Sequence, residues 1–396
     1  MSWFFFALIS VFGWGCADLF YKSGTDEGDR YSHLKIAVWV GLVMGVAALC
    51  MLPFSETGFS PKSFLVNAWK YAPASMCYIV SMVIGYAGLR YLELSIISPV
   101  QNASGALSSV AMLIFFMATG RISGIMDEFA LIDLIGTGLI VLGVLALAFV
   151  EKKLSHAPVV DRKYRLGALA LLFPLLYCVF DTIGTAADGI LLDEATGLGL
   201  GEIDVLILYG LTFLLAGIVA YGILRAKEGK WYNPFAKTER AKGLAALCEE
   251  FGQIFYVYAM ALRPVVVAPM VASYCIVSVL LSRIFLKEKL KKAQYVCIFL
   301  VVAGIVLLGI SEGLSATDAS SAETEAASIA EAPRMAKRRS PMWKTEEPCN
   351  AQKRGGRRFI APSAPDISDL SVRRLDQAVI AVIALVDDAD DVRIGV

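Results

Sequence analysis

The chain is short of charge. Asp, Glu, Lys and Arg make up 18% of its 396 residues, against about 25% in an ordinary soluble domain, while 57% are hydrophobic. Formal net charge is zero, which leaves no electrostatic footprint for nucleic acid. Histidine is nearly absent. His33 and His156 are the only two, too far apart and too loop-like to suggest a metal site. The eight cysteines show neither CxxC nor metal spacing. Seven of them lie in apolar stretches and read as free thiols filling helix contacts. No glycine-rich phosphate loop ending in Gly-Lys-Ser or Gly-Lys-Thr occurs, which excludes a single-chain ATP-driven pump. No catalytic triad or metal cluster supports an enzyme, and no cofactor is implied.

What the chain has instead is long apolar runs. A helix needs about 20 such residues to cross the hydrocarbon core of a bilayer. Ten runs qualify, near 2–22, 33–54, 69–90, 94–118, 129–150, 166–188, 204–224, 243–262, 265–286 and 292–311. The first lacks the basic start and small-residue cleavage site of a signal peptide and continues through Asp18 to Lys22, so it reads as a membrane helix of the mature protein. The Gly41-x-x-x-Gly45 pair in the second run is expected at a helix contact within the chain.

Two runs nearly repeat each other. SIISPVQNASGALSSVAMLIFF (95–116) and VVVAPMVASYCIVSVLLSRIFL (265–286) align without a gap, placing Pro99 on Pro269, Ser108 on Ser278 and Phe115 on Phe285. Each is followed by a charged turn and a glycine-bearing span, GLIVLGV (138–144) and GIVLLGI (304–310). The expected fold is therefore an all-α integral membrane protein of ten transmembrane helices in two five-helix repeats, 1–151 and 165–312. An odd number of crossings per repeat inserts the second upside down relative to the first. Duplicated membrane halves point to a transporter, with a solute bound where the halves meet.

These features resemble the EamA-type permeases of the drug/metabolite transporter superfamily. The marks are Trp14-Gly15 in the first helix and the turn before the last helix of the second repeat, where Lys287-Glu288 replaces the family's Gly-Glu and Gln294 is kept. In the first repeat Gly120-Arg121 stands at the equivalent turn. The resemblance covers residues 2–311. It implies a small-solute permease or exporter in the cell membrane, inner or plasma, without fixing the solute.

An ionisable group at mid-membrane costs about 2.5–3.5 kcal/mol and so usually faces a cavity. Asp18, Asp181, Glu249 and Glu250 lie within the expected spans. Asp18 and Asp181 fall at related positions in the first helix of each repeat; each is a candidate for a proton or a solute amine. The alternative is a carboxylate reaching the interface or pairing with Lys22. Glu249, Gln253 and Tyr256 recur at i, i+4 and i+7 on one helical face, which reads as a cavity wall or as a hydrogen-bond cluster between helices. Gln101, Ser104 and Ser108 share a face of the fourth span, where small polar residues equally serve close packing. Pro99 and Pro269 each free a carbonyl one turn back, which a membrane tolerates beside a cavity. The expected inward groups are Trp14, Asp18, Tyr78, Gln101, Asp181, Glu249, Gln253 and Tyr274. Glu249 is the first choice for proton coupling. The partners implied are a small-molecule solute and the lipid bilayer, with the protein a monomer or homodimer. A non-transporting receptor or scaffold on the same fold is the alternative.

Residues 313–396 differ in composition. They are rich in Ala, Ser and Glu, then basic from Lys337 to Arg358, and are expected to be largely disordered. Basic residues such as Lys152, Lys153, Arg162, Lys163, Arg225, Lys227, Lys230, Lys289 and Lys291 follow odd-numbered spans, against Lys62, Lys70, Arg121 and Arg263 after even-numbered ones. The positive-inside rule then places both termini outside the cytoplasm. A C-terminal reporter active only in the cytoplasm should stay silent, and a bright one would reverse the topology.

Overall fold

The computed structural model describes residues 2–26, 28–55, 61–155, 170–193 and 200–336. It divides into residues 1–312 and residues 313–396. Among the described residues there are helices and no strands. The α-helices are α1 (Trp3–Gly24), α2 (Ser32–Met51), α3 (Pro61–Gly88), α4 (Leu94–Gln101), α5 (Ser104–Ala118), α6 (Leu131–Ser155), α7 (Leu172–Leu192), α8 (Glu202–Glu228), α9 (Arg240–Leu262), α10 (Pro264–Ala272), α11 (Tyr274–Leu281) and α12 (Lys292–Ala336). Residues 337–396, most of the stretch expected to be disordered, lie outside the described residues.

Among the described residues, eight helical segments are long and apolar enough to cross a membrane. The remaining long helices, α3 and α9, are not among them, because they carry more polar and charged residues, such as Lys62 and Lys70 or Glu249 and Glu250. The apolar side chains that would meet lipid are on the outside, Phe12, Leu142, Val179, Leu215 and Phe299 among them. The segment Pro264–Leu286 is the most enclosed, with 83% of its apolar window buried against 33% for Lys292–Ser315. The core therefore sits around α10 and α11.

Local chemistry sets the helix ends. α8 opens with Glu202 and Asp204 and closes with Arg225 and Lys227, each sign matching its end of the helix dipole. Gly229 then stops it at φ +69°, the left-handed conformation that glycine adopts freely. The sixth run was expected to end at 188, yet the helix Leu172–Leu192 runs on past it; the expected start, 166, lies outside the described residues. Pro174 lies in the first turn of this helix, where a missing N–H costs nothing, and the later end moves Asp188 inside the helix.

The fourth and ninth runs are broken rather than continuous. Pro99 has no N–H for the Ser95 carbonyl, and the helix stops at Gln101 and restarts at Ser104. Asn102 Nδ2 donates to the Ser98 carbonyl at 2.9 Å across this break. Pro269 precedes the equivalent break at Ser273. The free N-terminus of α4 is capped from far along the chain, with Leu94 N–H 3.2 Å and Ser95 N–H 3.0 Å from the two Glu288 carboxylate oxygens.

Helix pairing follows a regular scheme, α1 on α9, α3 on α7 and α2 on α8. Gly41 and Gly217 meet backbone to backbone, since a Cβ on either would lie 2.7 or 3.0 Å from the other's Cα. Gly136 and Gly304 do the same between α6 and α12, each Cβ meeting the other's carbonyl at 3.0 or 2.6 Å. The pair that meets is thus Gly136 with Gly304 and not Gly138, which faces open space. The Gly41-x-x-x-Gly45 face packs on α8 within the chain.

Polar ties close both ends of the bundle. At one end Arg121 pairs with Asp193 at 2.7 Å and with Glu128, and Arg263 pairs with Asp133 at 2.9 Å. The Asp193 carboxylate, hydrogen-bonded to the guanidinium, raises the Arg121 pKa above its ordinary value. At the other end the Lys22 ammonium donates to the Leu89 and Leu92 carbonyls at 2.6 and 2.8 Å.

The two turns that mark the resemblance have the same backbone. Gly120 has φ +73° and Lys287 has φ +58°, the one described non-glycine residue with positive φ. Lys287 thus takes a conformation that disfavours any residue with a Cβ by about 1 kcal/mol. Lys287→Gly should stabilise the protein by about 1 kcal/mol, read as a higher midpoint of thermal unfolding in detergent. An unchanged or lowered midpoint would show that the lysine side chain contributes more than the strain costs.

Candidate functional site

The two broken segments and the helices around them line a cavity. All eight residues expected to face inward line it: Trp14 and Asp18 from α1, Tyr78 from α3, Gln101 from α4, Asp181 from α7, Glu249 and Gln253 from α9, and Tyr274 from α11. Tyr256, on the same face as Glu249, lines it too, whereas Glu250 does not.

The Trp14-Gly15 pair has a physical explanation. The Trp14 ring lies over Gly252, where a Cβ would come within 2.4 Å of its Cδ1, and its Nε1 donates to the Glu249 carbonyl at 3.2 Å. Gly15 leaves room for Val277, which would stand 2.5 Å from a Cβ. The Trp14 ring also packs on Tyr256 and Tyr274, with centroids 4.9 and 5.6 Å apart. Tyr177 lies on Gly85 in a matching way, its ring carbons 2.8 and 3.1 Å from a Cβ placed there.

Both cavity aspartates are held by serine hydroxyls. Asp18 Oδ2 accepts from Ser98 Oγ at 2.6 Å and from Ser278 Oγ at 2.7 Å, so it joins α4 and α11. Asp181 Oδ2 accepts from Ser104 Oγ at 2.6 Å, on the restarted helix α5. Lys22, weighed above as a partner for Asp18, donates to backbone carbonyls at the end of α3. Ser108 Oγ lies 2.8 Å from the Ser104 carbonyl and 3.2 Å from the Thr182 carbonyl, which ties α5 to α7 below the cavity wall.

Glu249 is buried, at 6% exposure, and Gln253 beside it has its Nε2 without a hydrogen-bond partner. That amide is free to meet a solute, while the carboxylate is hydrogen-bonded by Tyr21. Seven tyrosines and one tryptophan line the cavity with three carboxylates, and none of the lining residues is Lys, Arg or His.

Sequence reasoning passed over Tyr21, Tyr209 and Thr185, which also line the cavity. Tyr21 stacks on Tyr86 with centroids 4.9 Å apart, and Tyr209 on Tyr78 at 5.7 Å. A tyrosine in an apolar helix carries no signal separating a cavity wall from ordinary packing. Asp188 was also passed over. It is wholly buried on α7, and the expected span ended on it.

A bundle with eight helices able to cross a membrane is a multi-pass membrane protein. Residues 170–310 match the model of the EamA-like transporter family, in agreement with the resemblance read from the sequence. That family is one of transporters, not enzymes. No curated protein matches the chain. One solved structure, titled only as the crystal structure of a protein, overlays 76% of this chain and 95% of its own at 12% identity and a TM-score of 0.49. That likeness is too slight to define a shared fold.

Removing a donor from a buried acceptor costs about 1–3 kcal/mol. Ser98→Ala and Ser278→Ala should each destabilise the protein by that amount, read by denaturation in detergent. The double variant should cost more than the sum, because either donor alone still serves the one oxygen and only the loss of both leaves it bare. Full additivity would show that the two hydroxyls act independently of Asp18.

Proposed function

We propose that this protein is a secondary transporter carrying a small organic cation, such as an amine-bearing metabolite or drug-like solute, by alternating access. The observation that carries this reading is the cavity's charge. Three carboxylates, Asp18, Asp181 and Glu249, line it with aromatic rings and without a basic side chain. Like charges in a low-dielectric enclosure are relieved by a bound cation or by protons. Ammonium groups are further attracted to aromatic faces, by about 0.5–2 kcal/mol each. A carboxylate or phosphate solute would meet repulsion from every side.

The moving parts in this reading are two inverted five-helix halves, 1–151 and 165–312. Their exchange symmetry is supported by the pairing scheme, in which α1 on α9 answers α3 on α7. The self-paired glycines Gly41 with Gly217 and Gly136 with Gly304 are what a two-fold axis produces where an element crosses its own counterpart. The turns at Gly120 and Lys287 share a conformation, and both repeats break one turn after a proline.

Glu249 is proposed as the group that exchanges a proton for the solute, being more enclosed than Asp18 and beside the unpaired Gln253 amide. The test is solute uptake into proteoliposomes with and without a pH gradient, using amines, carboxylates and neutral sugars. Amines should be accumulated. Glu249→Gln, which keeps the shape, should abolish accumulation driven by the pH gradient and spare exchange. Uptake of carboxylates in preference to amines would refute the reading of the solute. If Glu249→Gln concentrates amines as well as the wild type does, Glu249 is structural, and Asp18 and Asp181 become the next candidates.

A further inference from the structure

Behind the cavity wall lies a second acidic group that the solute cavity does not use. Asp188 is fully buried, and neither of its carboxylate oxygens has a hydrogen-bond partner. The hydroxyls of Tyr71, Tyr78 and Tyr256 are its polar neighbours. The Tyr71 hydroxyl is equally buried. The Tyr78 hydroxyl lies 2.9 Å from that of Tyr256 and 3.3 Å from Thr185 Oγ1, one turn before Asp188. Tyr78, Tyr256 and Thr185 line the solute cavity, whereas Asp188 and Tyr71 do not.

We propose that Asp188, with the hydroxyls of Tyr71, Tyr78 and Tyr256, binds a small inorganic monovalent cation of sodium size at a site beside the solute cavity. A buried carboxylate without a partner is costly, and the cost is removed by a cation held among further oxygens. Hard cations take oxygen ligands in this way. The two carboxylate oxygens, three phenols and the Thr185 hydroxyl supply enough of them. One carboxylate balances one positive charge, and a divalent ion would leave an excess in a low-dielectric place. The ionisable groups acting on Asp188 from the packed helices are phenols, Tyr71 and Tyr78 on α3, Tyr209 on α8 and Tyr256 on α9, so nothing basic competes for the carboxylate. Tyr78 and Tyr256 belong to both sites, so an ion on one side of these rings fixes the wall that the solute meets on the other. The ion site stands on its own geometry; its use in driving solute accumulation rests on the transporter reading.

The test is equilibrium binding of radioactive sodium to the purified full-length protein in detergent, with potassium and choline as competitors and no solute present. The wild type should bind sodium, and choline should not displace it. Asp188→Asn should abolish binding, and Tyr71→Phe, which removes one oxygen outside the solute cavity, should weaken it several-fold. Glu249→Gln should leave it unchanged. Should Asp188→Asn fail to give monodisperse protein, Tyr71→Phe decides the question. No sodium binding by the wild type would overturn the proposal, as would binding unaffected by the Asp188 and Tyr71 variants. Loss of binding in Glu249→Gln would also overturn it, by placing the ion in the solute cavity. Because binding is measured without solute, the result stands apart from whether amines are transported.

Discussion

Within an apolar layer no water is present to complete a broken helix, so every freed backbone group must be satisfied by the protein itself. This requirement organises the interior. α4–α5 and α10–α11 are each interrupted after a proline, and much of the buried polarity serves the interruptions. Glu288 supplies the N-terminus of α4 from the other half of the sequence, and Asn102 bridges the first break. Ser109 Oγ donates to the Val265 carbonyl in the first turn of α10 at 2.7 Å. Asp18 and Asp181 draw their partners from the helices flanking the breaks. The cavity is the space left where straight helices would otherwise have closed on one another.

Charge is partitioned accordingly. Cations are kept to the ends, where Arg121, Arg263 and Lys22 tie neighbouring elements together. The middle holds carboxylates and hydroxyls. A basic residue among them would neutralise the cavity permanently. Its absence from the lining leaves the neutralising charge to be brought in from outside.

Much of this was legible in the sequence because its signals are chemical and periodic. Proline at 99 and 269 marks a lost hydrogen bond wherever it falls in a helix. Glu249, Gln253 and Tyr256 lie on one face by helical spacing alone. Boundaries were less legible. Hydropathy ended the sixth span at 188, while the helix continues to Leu192. The early end concealed Asp188. The pairing of Lys287 with a left-handed backbone was equally invisible, since a lysine there reads as an ordinary charged turn. Tyr21 and Tyr209 needed the fold, because what distinguishes them is which neighbour is missing.

The crossing of α2 and α8 has a mechanical consequence. Gly41 and Gly217 touch through backbone atoms alone, so no side chain at that point has to leave one rotamer and find another when the crossing angle changes. Interdigitated side chains act as gear teeth and resist rotation in steps. A smooth contact between two bare helices acts as a bearing, with resistance that varies little through the swing. Resistance in this molecule is then concentrated at its rims, where charged groups must let go one at a time. In the alternating-access cycle proposed above, a methyl group added at either glycine would put friction at the pivot without touching the cavity.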